Sequence, residues 1–311
     1  MPSTIETSST YQKLLVEGLK EVAERTCTEE HERFNARKEF YGEVDSDKAF
    51  EEFYSVNGVG DIPKWSGKME PIVGSPGYLR RIEPAEFAAM RQWERKFLDD
   101  KQYDVLNDDS ADMGIAAART INKYCAYPFV YATSASLEFL TYNEEGVSLV
   151  SSSHTTKSGV STTNGFTNTT TLSLTPTNLD TVRLIGANIK SPIGKRISTN
   201  FDTLLVPNSL AKTAFEITQT PTGLQSGEGT SNYWKGKYKV IVWSHLDDYD
   251  TNDWYLLDSG MMKRALKFIS RFEPEFKSNY DFQTMITALS VYFRFGLGYK
   301  DWRWIIKSTV S

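Results

Sequence analysis

The sequence is poor in the residues that build redox and metal chemistry. Its two cysteines, Cys27 and Cys125, stand far apart and form no CxxC or Cys/His cluster. That excludes a zinc ribbon and a disulfide framework and leaves two idle thiols. Histidine occurs only as His31, His154 and His245, so a Ser-His-Asp or other acid/base arrangement would have to be built on one of these, and none has a suggestive neighbourhood. No apolar run reaches the roughly 18 residues of a membrane span, and Met1 to Thr10 is polar, without the apolar stretch of a signal peptide. No membrane partner is expected, and the cytoplasm is the default place of assembly. Basic charge is not in excess either: 35 Lys and Arg face 40 Asp and Glu, a net charge of -5. A protein that grips nucleic acid through phosphates is therefore disfavoured, and any contact with DNA should be loose and non-specific. Gly58-Val59-Gly60 lacks the lysine and helix of a phosphate loop, and Gly296-Leu297-Gly298 has no room behind it for a nucleotide-binding unit. No cofactor is expected.

What is present is enough apolar matter for one large core or two modest ones: 40% hydrophobic and 13% aromatic residues in a chain of 311. Tyr11, Leu14, Leu15, Leu19 and Val22 recur at helical spacing, and the charged surroundings down to Glu52 give that helix the character of an arm. From Tyr54 to Tyr78 glycine and proline punctuate short runs, which predicts a long two-stranded excursion carrying Trp65 and Tyr78. Asp108, Asp109 and Ser110 read as an N-cap cluster for a long helix ending near Tyr131, with Pro128 marking a kink or stop. Ser148 to Ser173 is dominated by Ser and Thr and reads as an extended polar loop. Thr175 with Pro176 then opens a helix ending near Asn188. Thr203 to Val206 reads as a buried strand ended by Pro207, with Asn208 or Ser209 capping a short helix beyond. Tyr238–Trp243, Trp254–Leu257 and, more weakly, Phe268–Ser270 predict strands, and Met285–Phe295 is apolar in bursts. The sum is an α+β chain with no internal repeat.

Two features bear on function. His245, Asp247, Asp248, Asp250 and Asp253 form the densest acidic cluster and would suit a divalent cation in a metal-dependent hydrolase. Their spacing matches neither a calcium loop nor a paired-histidine zinc motif, and a solvated turn between two strands explains them better. Against this stand the reaching elements and the tryptophans Trp65, Trp302 and Trp304, which fill either the chain's own core or a partner surface.

Three segments of the second half carry a resemblance: VSLVSSSHTTKSGVSTTNGFTNTTTLS (Val147–Ser173), with His154 and Asn164; FDTLLVPNSLAKTAFEI (Phe201–Ile217); and DWYLLDSG (Asp253–Gly260) followed by PEF (Pro274–Phe276) and YFRFGLGYKDWRW (Tyr292–Trp304). Their order resembles the major capsid proteins of tailed phages with the Hong Kong 97-like fold, most closely the phage Mu-type head subunit. The resemblance implies an α+β subunit divided into an N-terminal arm (1–52), an extended two-stranded loop (53–85), a peripheral domain with a spine helix (86–150), an axial domain with the polar loop (151–260) and C-terminal strands returning to the peripheral domain (261–311). It implies self-association into hexamers and pentamers of an icosahedral head, in the virion, around packaged double-stranded DNA, with portal and possibly scaffold or decoration proteins as partners. No catalysis is implied. Inter-subunit contacts would fall on Lys64, Trp65, Lys68, Tyr78, Arg80 and Arg81, although no motif identifies a covalent cross-linking pair. A start at Met1 suggests no removed propeptide, and Tyr11–Arg25 is too short for a fused scaffold. Another virion part, such as a tail-tube or decoration protein, is the remaining alternative; the long helix and the TLLVP unit disfavour it.

Overall fold

The computed structural model describes residues 8–56, 58, 61, 62, 64, 65, 67, 69, 74, 76–221 and 231–310. In chain order the first half holds α1 (Ser8–Arg33), α2 (Ala36–Phe40), β1 (Gly42–Asp45), β2 (Glu51–Val56), β3 (Pro76–Ile82), β4 (Ala85–Glu94), α3 (Arg95–Asp99), α4 (Tyr103–Val130) and β5 (Leu140–Asn143). The second half holds β6 (Thr169–Thr170), α5 (Pro176–Ala187), β7 (Thr203–Val206), α6 (Ala211–Gln219), β8 (Lys239–Val242), β9 (Trp254–Leu257), α7 (Ser259–Ala265), β10 (Leu266–Asp281), β11 (Ile286–Tyr299) and β12 (Ile305–Ser308). The fold is mixed α+β, as the sequence pattern predicts.

Three sheets organise it, ordered β1-β10-β11-β4, β6-β12-β9-β7-β8 and β2-β3-β5. The first is built on the β10/β11 hairpin, far longer than the patch Phe268–Ser270 suggested. Its register shifts between Ser270 and Phe272 and again before Glu275. Pro274, which cannot donate to a ladder, falls in that irregular stretch. The second sheet is buried on both faces at its centre, where every residue of β7 and β9 is buried. Strands covered on both sides read as continuous apolar runs, and Leu204-Leu205-Val206 and Trp254 to Leu257 do. The connection from β7 through α6 to β8 pairs those strands in parallel, which requires such a crossover.

α4 joins the sheets. Its Leu106, Met113, Ala117, Ile121 and Cys125 are buried, and Tyr124 lies edge-on to Phe87 of β4 at 5.0 Å. Phe87 in turn stacks on Phe295 of β11 at 4.8 Å. At the other end of α4, Phe129 packs against Phe40, Trp243, Tyr255 and Trp304. Offset and edge-on aromatic pairs of this kind hold more than their area alone provides.

Two expectations are corrected here. α4 begins at Tyr103, so Asp108, Asp109 and Ser110 sit inside it and cap nothing: Asp109 accepts from Trp93 Nε1 at 2.8 Å and pairs with Arg91, both on β4. Tertiary partners, not the helix's own end, account for Asp109. The helix continues two residues past Pro128, which falls in its last turn where one lost hydrogen bond is tolerable. The N-terminal segment does not stand apart as an arm throughout, because Leu19, Ala23, Cys27, Ala36, Phe40 and Tyr41 are buried in the common core. Trp302 and Trp304 are likewise buried within the chain.

Candidate functional site

The base of the excursion is a two-stranded ribbon, β2 paired antiparallel with β3, which matches the expectation for its stem. Beyond it Ile62, Trp65 and Met69 are 86%, 66% and 83% exposed, and Lys64 is exposed beside them. Three large apolar side chains in water on one reaching segment are a surface that favours a partner. Lys68 lies outside the described residues. Tyr78 is tied to the polar loop: its hydroxyl is 2.8 Å from Thr155 Oγ1, and Lys157 Nζ sits 5.4 Å from the ring centre. Arg81 bonds Glu52 across the ribbon at 2.6 Å and covers the Phe50 ring.

Arg80 departs from its expected place at an inter-subunit contact. It is 1% exposed, enclosed by its own chain, because the alternation of β3 turns it away from Arg81. Its guanidinium donates to Glu145 at 2.5 Å and to the Lys300 carbonyl, and lies 4.7 Å from the Tyr299 ring centre. Glu145 is equally buried and faces His154 Nδ1 at 3.1 Å. His154 Nε2 lies 3.0 Å from Asn168 Oδ1, and its ring stacks on Trp302 at 4.0 Å with 4° between planes. Asn168 Nδ2 donates to the carbonyls of Leu149 and Ile305, which fixes its oxygen toward the histidine. With an oxygen beside each ring nitrogen, the imidazole is held in place between Glu145 and Asn168. Nearby, Asp301 forms a two-oxygen pair with Arg303 at 2.7 and 2.9 Å. Burial works against the charge on Asp301, but Arg303, backbone amides and Arg80 hold its carboxyl below the usual range.

The sequence singles out His154 and, further along the same polar loop, Asn164. The structure leaves Asn164 exposed and brings Asn168 to the ring. Glu145 was missed; its signal was weak, one acid among turn residues just before the polar loop.

The acidic cluster disperses. Asp247 accepts from the Asn208 and Ser209 amides at 2.8 and 3.2 Å, supplying the cap for the 3-10 turn ahead of α6 that the sequence assigned to Asn208 or Ser209. Asp250 closes its own turn by accepting from Asn252 and Asp253. Asp253 is buried in a 2.8 Å pair with Lys307 of β12. Among the described residues no group of three or more His, Cys, Asp or Glu side chains is placed to hold a metal ion, and no helix is long and apolar enough to cross a membrane. The burial that dominates both thiols pushes Cys27 up to about 11 and Cys125 higher still, which suits inert thiols.

Comparisons with known proteins follow this geometry. The family model described as phage capsid protein matches residues 80–308. No curated protein matches the chain. Among solved structures, the virus-like particle from Pyrococcus furiosus aligns over 93% of this chain and 98% of its own, at 9% identity and a TM-score of 0.55. The capsid of the native GTA particle aligns over 89% and 90%, at 10% identity and a TM-score of 0.54. The bacteriophage JBD30 capsid aligns over 68% and 90%, at 13% identity and a TM-score of 0.53. At such identities the likeness is one of fold.

Proposed function

The chain belongs to the phage capsid protein family, and from that premise we propose that it is the major capsid protein of a tailed phage, self-assembling into the icosahedral head. The observation that carries this reading is the family match over residues 80–308, to which the geometry adds the exposed apolar side chains of Ile62, Trp65 and Met69. The role is structural, and no reaction is assigned to it.

The finer reading is the Hong Kong 97-like fold, in a subunit closest to the phage Mu type. In it 1–52 is the N-terminal segment, whose later part packs into the core, 53–85 the extended loop, 86–150 the peripheral domain with α4 as spine helix, 151–260 the axial domain and 261–311 the returning strands. Its support is the shared order of elements: the β2/β3 ribbon, the long helix, the buried central sheet and the closing hairpin. Subunits join as hexamers and pentamers, with Lys64, Trp65, Lys68, Tyr78 and Arg81 at the loop contacts; Arg80 instead braces the loop's base from within. Portal, scaffold or decoration proteins complete the head, packaged double-stranded DNA touches it without sequence preference, and assembly takes place in the host cytoplasm.

Expression of the chain alone, followed by size-exclusion chromatography and negative-stain microscopy, tests the proposal. Closed shells, or rings of about six or five subunits as cyclic assembly requires, are the expected result. A compact monomer that persists when scaffold candidates and crowding agents are supplied would sink it.

A further inference from the structure

The hairpin that follows α5 opens a second, unrelated site. Lys190 and Arg196 face each other across a single antiparallel bridge, and with Asn164, Thr167, Asn188 and Ile185 they line a cavity of about 460 Å³. In a chain where acids outnumber bases, no carboxylate among the described residues lines this cavity. Neighbouring cations are neutralised: Lys195 pairs with Asp61 at 2.5 Å, Lys157 with Glu144 and Arg183 with Asp180. Lys190 and Arg196 pair with no acid among the described residues. Arg196 has one long bond, from Nη2 to Asn188 Oδ1 at 3.3 Å, which leaves most of its five N–H donors free. The Asn164 amide and the Thr167 hydroxyl add neutral donors, the latter held only by a 3.5 Å bond to the Ser151 carbonyl.

We propose that this cavity binds a phosphate-class anion. An arginine and a lysine lining one space, with amide and hydroxyl groups beside them, supply the chemistry that recognises phosphate oxygens. The C-terminus of α5 ends at the same place, and its partial negative charge explains part of the cationic lining. That simpler role makes a different forecast: the cations would affect stability without any anion. Phosphate could arrive as a small polyphosphate or as the backbone of nucleic acid, and two arms of one experiment separate the sources.

The purified full chain in low salt is titrated with tripolyphosphate by calorimetry, and with a fluorescent 20-base-pair DNA by anisotropy. Saturable tripolyphosphate binding is expected, weakened at least tenfold by Lys190→Gln with Arg196→Gln and unchanged by Lys195→Gln, which removes an already partnered cation. Should the double substitution unfold the chain, Lys190→Arg with Arg196→Lys keeps both charges and is expected to keep binding. DNA binding that falls with the same double substitution and is displaced by tripolyphosphate identifies the nucleic-acid backbone as ligand; DNA binding that ignores it assigns the site to small polyphosphates. Absence of tripolyphosphate binding, equal binding by the double variant, or equal loss in Lys195→Gln overturns the proposal. None of these outcomes depends on shell formation, so the proposal fails or stands apart from the capsid reading.

Discussion

At Glu145 a guanidinium and a histidine ring both face one carboxylate in a space closed to water. Replacing it by Gln leaves the Arg80 charge buried without a counter-ion, a change that costs about 3–5 kcal/mol at comparable sites. Urea unfolding should show the loss, whereas replacing Arg80 and Glu145 together by Leu should recover much of it; an unaffected single variant would mean that water reaches the pair. Asp301 adds a pH dependence. Its folded-state carboxyl is depressed, so its contribution is present above the unfolded value of about 3.9 and is lost as pH falls through the lower folded one. The stability gap between wild type and Asp301→Asn should therefore be widest near neutrality and close below about pH 3.9; a gap constant across that range would refute the assignment. None of this network could be read from spacing. His154 was visible as a lone histidine in a polar loop, but its partners Glu145, Asn168 and Trp302 are brought together by the closing hairpin, and Asn168 differs from Asn164 only by which of them faces inward.

Between elements, α1 and α4 cross at close approach. A Cβ added at Gly114 would lie 2.3 Å from the Ala23 carbonyl oxygen, so no side chain fits without parting the helices. Gly18, on the same helix as Ala23, has open space where its Cβ would be. The two sites should respond oppositely to alanine. Gly18→Ala should gain roughly 0.5–1 kcal/mol from helix propensity. Gly114→Ala should lose about 1–3 kcal/mol to overpacking and speed hydrogen exchange along residues 17–33. Equal gains at both would show that the helices are not in contact. Propensity and capping were legible where an element ends by its own chemistry: Thr175 accepts from the Asn178 amide, Pro176 opens α5 and Asn188 closes it, as the sequence predicts. They misled where a distant element supplies the partner. Asp109 looks like a cap but serves Arg91 and Trp93, and the turn ahead of α6 takes its cap from Asp247, nearly forty residues on.

On the scale of the whole molecule, the side chains that matter for assembly should be those the subunit can lose without noticing. Trp65 is 66% exposed and Ile62 86%, so replacing both by Ser should leave the unfolding midpoint of the subunit unchanged within about 0.5 kcal/mol, the usual range for surface sites. In a closed ring each subunit both gives and receives the same contact, so one weakened contact recurs at every interface. A loss of about 1.4 kcal/mol per contact is a factor of ten in its association constant. Repeated around a ring of about six subunits and added by multivalency, such a loss should raise the protein concentration needed for particles far more than tenfold. Light scattering against concentration measures that threshold, and calorimetric melting of the unassembled subunit supplies the control. A double variant that melts normally yet assembles at the wild-type concentration would move the inter-subunit contact away from the loop tip. The exposed Met90 of β4, beside the groove between β4 and α4, would then be the next surface to vary, because a large apolar side chain left in water favours a partner.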